Sequence, residues 1–151
     1  MKAQYINPFL AASTNLFREY LGLKLKAGKP YLLEDPQKLD EVSAIIGLAG
    51  ETTGAVVLSF SRETAIAIVS KFGQTRYQAL SNEVLDGVGE LVNIIAGNAK
   101  KDLLDFRIEI SLPGVITGNS YKIRWPENIP VVSIPFVSEL GSFTVNVSLK
   151  E

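Results

Sequence analysis

The stretch Asn82-Glu83-Val84-Leu85-Asp86-Gly87-Val88-Gly89-Glu90-Leu91-Val92-Asn93-Ile94-Ile95-Ala96-Gly97-Asn98-Ala99-Lys100-Lys101 organises the chain around one long amphipathic helix. At 100° per residue, Asp86, Glu90, Asn93, Gly97 and Lys100 fall within roughly 40° either side of one line. Val84, Val88, Leu91, Val92 and Ile95 gather opposite them. The pattern predicts a helix from about Ser81 to Leu104, with Glu83 in the first turn, where a carboxylate suits the helix dipole. Its wide apolar face needs a sheet to cover, and its polar stripe is narrow.

That stripe is expensive for a helix built only for stability. Gly87, Gly89 and Gly97 each cost about 1 kcal/mol relative to Ala, and Asn93 adds roughly 0.5 to 0.7. Two readings account for the glycines. Their bareness serves close packing inside the molecule, with Glu90 and Asn93 merely solvating the outside. Alternatively, it lets another surface approach the stripe, making Asp86, Gly87, Gly89 and Gly97 partner-binding positions.

Outward from this helix, the N-terminal side reads as helix, then strands, then a short helix. Asn7 is suited to an N-cap with Pro8 at the first helical position, and Phe9, Ala12, Leu16, Phe17 and Tyr20 form an apolar face before Gly22. Strands are expected at Leu23 to Lys26, Val42 to Leu48 and Thr53 to Phe60, the last two joined across Gly50-Glu51. Ser61 caps a short helix through Phe72, ended by Gly73. Towards the C-terminus, Arg107 to Leu112 reads as strand and Pro113-Gly114 as a turn. Trp125, between Arg124 and Pro126, reads as a turn anchor. Val131 to Val137 and Phe143 to Leu149 form a final pair around a Gly141-Ser142 hairpin. Pro135 assigns its strand to an edge or bulge, and the alternation of Phe143, Val145, Val147 and Leu149 with polar residues implies one buried and one wetter face. The fold class is α/β (α+β): a mostly antiparallel sheet with two long helices and one short helix on one face. Residues 1–151 read as one domain, without a linker or low-complexity break.

Composition narrows the chemistry. The 151 residues hold no Cys and no His, and 15 Lys+Arg against 16 Asp+Glu leave a formal charge of -1. Disulfides, thiolate or imidazole metal sites and Ser/His or Cys/His nucleophiles are excluded. The near-neutral balance gives no long-range attraction to nucleic acid or to a membrane surface. The N-terminus lacks a secretory signal pattern, so the expected location is the cytoplasm. Any chemistry must rest on carboxylates, amides, hydroxyls, Lys or Arg, or be completed by a partner.

With these residues in view, Asp86-xxx-Glu90-xx-Asn93 within Gly-Glu-Leu-Val-Asn-Ile-Ile-Ala-Gly-Asn resembles the signature of the CheC/CheX/FliY family of response-regulator phosphatases. The opening Tyr5-Ile6-Asn7-Pro8-Phe9 helix and the order of elements are similar to the CheX branch, and no second Glu-xx-Asn occurs, which also resembles CheX more than CheC. One departure is that the family pattern expects a proline somewhat farther beyond the Asn than Pro113 stands.

The resemblance implies a substrate, the aspartyl phosphate of a CheY-type receiver domain, whose own site supplies Mg²⁺ and a lysine. It implies catalytic roles for Asn93, orienting the attacking water, and Glu90, pairing with the receiver's lysine, with no cofactor or metal held by this chain. It implies as well a homodimer joined through sheet edges, in keeping with the readiness of open strands to pair. A non-catalytic receiver-binding or flagellar-switch-like module is the alternative, and a hydrolase using Asp86 and Glu90 as paired carboxylates is a third reading without a visible pocket.

Overall fold

A computed structural model describes all 151 residues. Three α-helices, α1 (Ala3–Leu16), α2 (Arg62–Phe72) and α3 (Asn82–Lys101), lie with eight strands: β1 (Lys26–Ala27), β2 (Tyr31–Leu32), β3 (Val42–Gly50), β4 (Gly54–Phe60), β5 (Ile108–Ile110), β6 (Gly114–Thr117), β7 (Val132–Ser138) and β8 (Gly141–Leu149). All pairings are antiparallel, in the order β1-β7-β8-β4-β3-β5, with β2 also on β7 and β6 also on β3. The expected α+β architecture, helices over one face of an antiparallel sheet, is the one observed.

Alternation builds the core. Ala44, Ile46 and Leu48 of β3, Val56, Leu58 and Phe60 of β4, and Phe143, Val145, Val147 and Leu149 of β8 all point to the helical side and are buried. They meet Phe9, Leu16 and Phe17 from the first helical segment and Val84, Val88, Leu91, Val92 and Ile95 from α3, within one cluster of 35 buried residues. Removing each such side chain from water contributes about 1.5 to 3 kcal/mol. Between β3 and β4, Gly50 holds φ +115°, and a Cβ there would stand 2.5 Å from the Arg107 carbonyl oxygen. Only glycine admits both the conformation and the crossing chain.

Several expectations need correction. Asn7 does not cap α1: Lys2 stands at the N-cap and Ala3 begins the helix, so Pro8 lies inside it. Tyr5 and Ile6 are buried on the same face as Phe9, Ala12 and Leu16, and their burial outweighs the hydrogen bond that Pro8 cannot make. The helix continues as a π-turn, Phe17–Leu21, ended by Gly22 at φ +64°. The wider turn rotates Tyr20 off the apolar face, leaving it 56% exposed. The first strand is shorter and later than expected, because Leu23 and Leu25 are buried while only Lys26 and Ala27 pair. Helix α3 ends at Lys101 rather than Leu104, and β5 covers only Ile108–Ile110. The β7–β8 turn lies at Glu139-Leu140, since Gly141 already pairs with Ser138.

Pro135 sits on β7 opposite Thr144, and its carbonyl accepts the Gly28 N–H at 2.8 Å on the side away from β8. N–H and C=O of one strand residue point the same way, so the missing donor falls between the two short strands β1 and β2 and costs β8 nothing. The sheet's second face is not wet. Asn146 and Ser148 are fully buried there, beneath a small cluster of Val57, Ile123, Trp125 and Val131. Trp125 is indeed an anchor: its Nε1–H donates to the Pro36 carbonyl at 2.7 Å, tying two loops across that face. The Tyr121 hydroxyl bridges to Ser43 at 2.7 Å and to the Asp40 carbonyl, and its burial raises the phenol pKa above the ordinary value.

Candidate functional site

Helix α3 begins where Ser81 Oγ accepts the Val84 N–H at 3.3 Å and ends with Lys100 and Lys101 in its last turn, both favourable to the dipole. Its apolar face is fully buried against the sheet and α1, which fixes the rotation of the helix about its own axis. The polar stripe is thereby turned outward with no freedom to roll. Asp86 and Glu90 are exposed, while Asn93 and Gly97 are half-buried one and two turns further on.

These three polar side chains are free. Neither carboxylate nor the Asn93 amide takes a hydrogen bond or an ion pair from the rest of the chain, whose ion pairs lie elsewhere, between the N-terminal ammonium of Met1 and Glu151 and between Arg18 and Glu19. Asn93 is the notable one. A half-buried amide with two donors and an acceptor unspent is costly to keep in the middle of a helix and is suited to receive something from outside.

The three glycines have different causes. At Gly87 a Cβ would stand 2.5 Å from Val69 Cγ1 and 3.1 Å from Cγ2, so this glycine lets α2 and α3 approach. At Gly89 the neighbours are Val115 Cγ2 at 3.4 Å and Pro113 at 3.7 Å, distances at which a methyl group would sit in ordinary contact with the β6 lead-in. Gly97 has nothing within 4 Å. Internal packing thus accounts for Gly87, whereas a Cβ at Gly89 would make only ordinary contacts and one at Gly97 would make none. Accordingly, Gly97→Ala should raise the melting temperature by about 2 to 4 °C, the helix-propensity gain unopposed. Gly87→Ala should lower it, because stiff, β-branched Val69 cannot yield cheaply and overpacking costs about 1 to 3 kcal/mol. Thermal unfolding of the two variants by circular dichroism checks the opposite signs.

Beside the stripe runs a groove of about 390 Å³, lined by Asn82, Leu85, Asp86, Gly89, Glu90, Pro113 and Val115. One wall is acidic and the other apolar. The apolar wall is what the sequence reading missed, since Pro113-Gly114 reads as a turn while Gly114–Thr117 is strand β6, paired with β3. Its signal was the brief β-branched run Val115-Ile116-Thr117, too short between two glycines to stand out. Asn98 lies beyond Gly97, at the edge of a separate polar cleft with Asn15 and Lys101. No group of three or more carboxylates gathers anywhere to hold a cation, and no helix is long and apolar enough to cross a membrane.

The arrangement offers an amide and two carboxylates to an outside surface, without an enclosed cavity of its own. Comparison with known proteins accords with it. The family "Chemotaxis phosphatase CheX" matches over residues 42–137. The curated CheY-P phosphatase CheX of Thermotoga maritima is 31% identical over 153 residues, covering 99% of this chain and 98% of that one. Among solved structures, a chemotaxis protein CheX from Desulfovibrio desulfuricans superposes with a TM-score of 0.88 at 30% identity, covering 97% of this chain and 99% of the other. A CheX-CheY-BeF3-Mg²⁺ complex from Borrelia burgdorferi gives 0.82 at 31% identity, with 97% and 98% covered. By its sequence match and its backbone alike, the chain belongs to the CheX family of chemotaxis phosphatases.

Proposed function

We propose that this protein is a phosphatase for the aspartyl phosphate of a CheY-type response regulator, and that it works by inserting the α3 stripe into the receiver's own active site. The observation that carries the reading is the free, half-buried Asn93 amide one turn from the free Glu90 carboxylate, on a helix whose rotation the core has fixed. The curated Thermotoga relative is named for dephosphorylating CheY-P, and the Borrelia relative is seen bound to CheY, which supports the choice of substrate.

Hydrolysis of an acyl phosphate needs a water held in line with the breaking P–O bond and stabilisation of the equatorial phosphoryl oxygens. Magnesium in the phosphorylated receiver supplies the second. Asn93 supplies the first: its amide oxygen accepts from the water and its N–H₂ donates towards the phosphoryl oxygens, setting the approach without acting as a base. Glu90 pairs with the receiver's active-site lysine, which registers the helix and draws that cation away from the phosphate. Asp86, one turn back on the same line, sits on the acidic wall of the groove and adds to docking rather than chemistry. The chain needs no cofactor of its own in this scheme, and the setting is cytoplasmic chemotaxis signalling. Phosphate release from a phosphorylated CheY-type receiver in Mg²⁺, with and without the protein, is the direct test, and no acceleration overturns the reading. Tight receiver binding without acceleration would favour the non-catalytic module instead.

A homodimer through sheet edges belongs to the same reading. The β1/β2 edge is broken and short, and it carries Tyr31 at 49% and Leu32 at 62% exposure beside an apolar groove that includes Met1, Ile6 and Pro30. Such an edge suits pairing with another copy. Sedimentation at micromolar concentration should give twice the monomer mass, and Leu32→Lys should return the monomer; a wild-type monomer removes the dimer.

A further inference from the structure

We infer that Gly97 is a steric clearance that sets how closely α3 meets the receiver: with no side chain there, the receiver's main chain around its phosphorylation site can close onto the helix beside Asn93. The inference rests on the receiver-phosphatase reading above. Nothing inside the protein calls for a glycine at this position. The left-handed conformations that favour glycine are confined to Gly22, Gly50, Gly118 and Gly141, so the backbone at Gly97 would accept any residue. A Cβ on it would have no heavy atom within 4 Å, whereas the same atom on Gly87 would stand 2.5 Å from Val69 Cγ1. A glycine in mid-helix weakens the helix relative to alanine, and here no internal contact offsets that loss.

Its place on α3 says what the clearance serves. At 100° per residue, Gly97 lies about 40° around the axis from Asn93 and about 20° from Glu90, and about 6 Å beyond Asn93 along it. It therefore shares the outward face of both, which burial of Val88, Leu91, Val92 and Ile95 on the opposite side holds in place. In an α-helix the Cα–Cβ bonds tilt towards the N-terminus, and a side chain covers the turn before its own Cα. For residue 97 that turn is the one carrying Asn93, so any side chain there would lean over the half-buried amide. The chemistry needs that ground open. An asparagine amide stands on a single methylene, so it holds a water against a phosphoryl group only where the partner's surface comes down almost to the helix backbone. Glu90, with a longer stem, tolerates more distance than Asn93 does. Lys100 and Lys101, the next long side chains, are exposed and can swing aside, whereas a group fixed over Asn93 cannot.

The test is steady-state dephosphorylation of a CheY-type receiver, kept phosphorylated by a small-molecule phosphodonor in Mg²⁺. Titration of the same receiver with beryllofluoride and Mg²⁺, and thermal unfolding of every variant, accompany it. Gly97→Ala should lower kcat/KM and receiver affinity about tenfold, and Gly97→Leu about a hundredfold or more, a misplacement of about 1 Å being enough for a loss of that size. Both variants should melt no lower than the wild type, since Ala and Leu are better helix formers and open space receives the added Cβ. Falling activity with undiminished stability is the mark of a clearance kept for a partner. Wild-type kcat/KM and affinity in both variants, with the wild type active, overturn the clearance alone. Lost activity with a lowered melting temperature overturns it too, because that would return Gly97 to the protein's own packing. A fall in kcat/KM at unchanged affinity likewise overturns it, since crowding must be felt as the two surfaces close. A wild-type protein that neither binds nor dephosphorylates the receiver overturns the clearance together with the reading beneath it.

Discussion

Asn93→Ala is expected to cut the accelerated dephosphorylation of the receiver by about a hundredfold or more, the scale of loss when a reacting group is no longer held in line. The same change should make the protein slightly more stable, by about 0.5 kcal/mol, because Asn is a poor helix former in the middle of α3 and its amide bonds to nothing within the chain. The two effects have opposite signs, so inactivity cannot be blamed on unfolding. Receiver affinity, read with beryllofluoride and Mg²⁺, should change by only a few-fold. Asn93→Asp sharpens the mechanism. If the side chain abstracted a proton, a carboxylate would serve well; if it orients water beside an anionic phosphoryl group, the added charge repels the substrate and the variant is as poor as Ala. Activity in Asn93→Ala equal to the wild type would remove the amide from the reaction.

The helix that carries this residue was legible in the sequence because its two faces differ so sharply. Burial of Val84, Val88, Leu91, Val92 and Ile95 follows directly from their spacing, and the outward stripe follows from theirs. Strands β3, β4 and β8 were legible for the same reason, having enough residues to show a period. What was missed had no period to show. Strands β1 and β2 have two residues each, and β6 has four; all three are strands only because a longer neighbour offers an open edge. The start of α1 was misplaced because Asn7-Pro8 carries a strong local cap signal that tertiary burial of Tyr5 and Ile6 overrules. Local preference was worth about 1 kcal/mol there, and two buried side chains outweigh it.

The site divides along the same line. Asp86, Glu90, Asn93 and Gly97 share a helix, so sequence spacing alone brings them together. The meaning of Gly87 did not follow from spacing, because it is explained by Val69, which another element contributes. The groove beside Glu90 was invisible for that reason too. It forms where β6 lies directly against α3, and its outer wall, Pro113 and Val115, belongs to a segment that is strand only because β3 offers it an edge.

Glu90 provides the sharpest test of docking. Glu90→Lys leaves the fold intact: the side chain is exposed and unpaired, and Glu and Lys have nearly equal helix propensities. If the carboxylate meets the receiver's lysine, the substitution both removes an attraction and installs a like charge against it. Like charges juxtaposed at an interface cost several kcal/mol, so affinity for the beryllofluoride-bound receiver should fall by about a hundredfold or more. Glu90→Gln, which keeps the shape and loses only the charge, should fall between the two. Ionic strength separates this cause from a generic surface disturbance. Screening weakens an attraction and a repulsion alike, so added salt should lower wild-type affinity, raise that of Glu90→Lys, and bring the two curves together. Charge reversal with no loss of affinity at low salt would show that Glu90 does not face a cation, and the stripe would then have to engage its partner in another register.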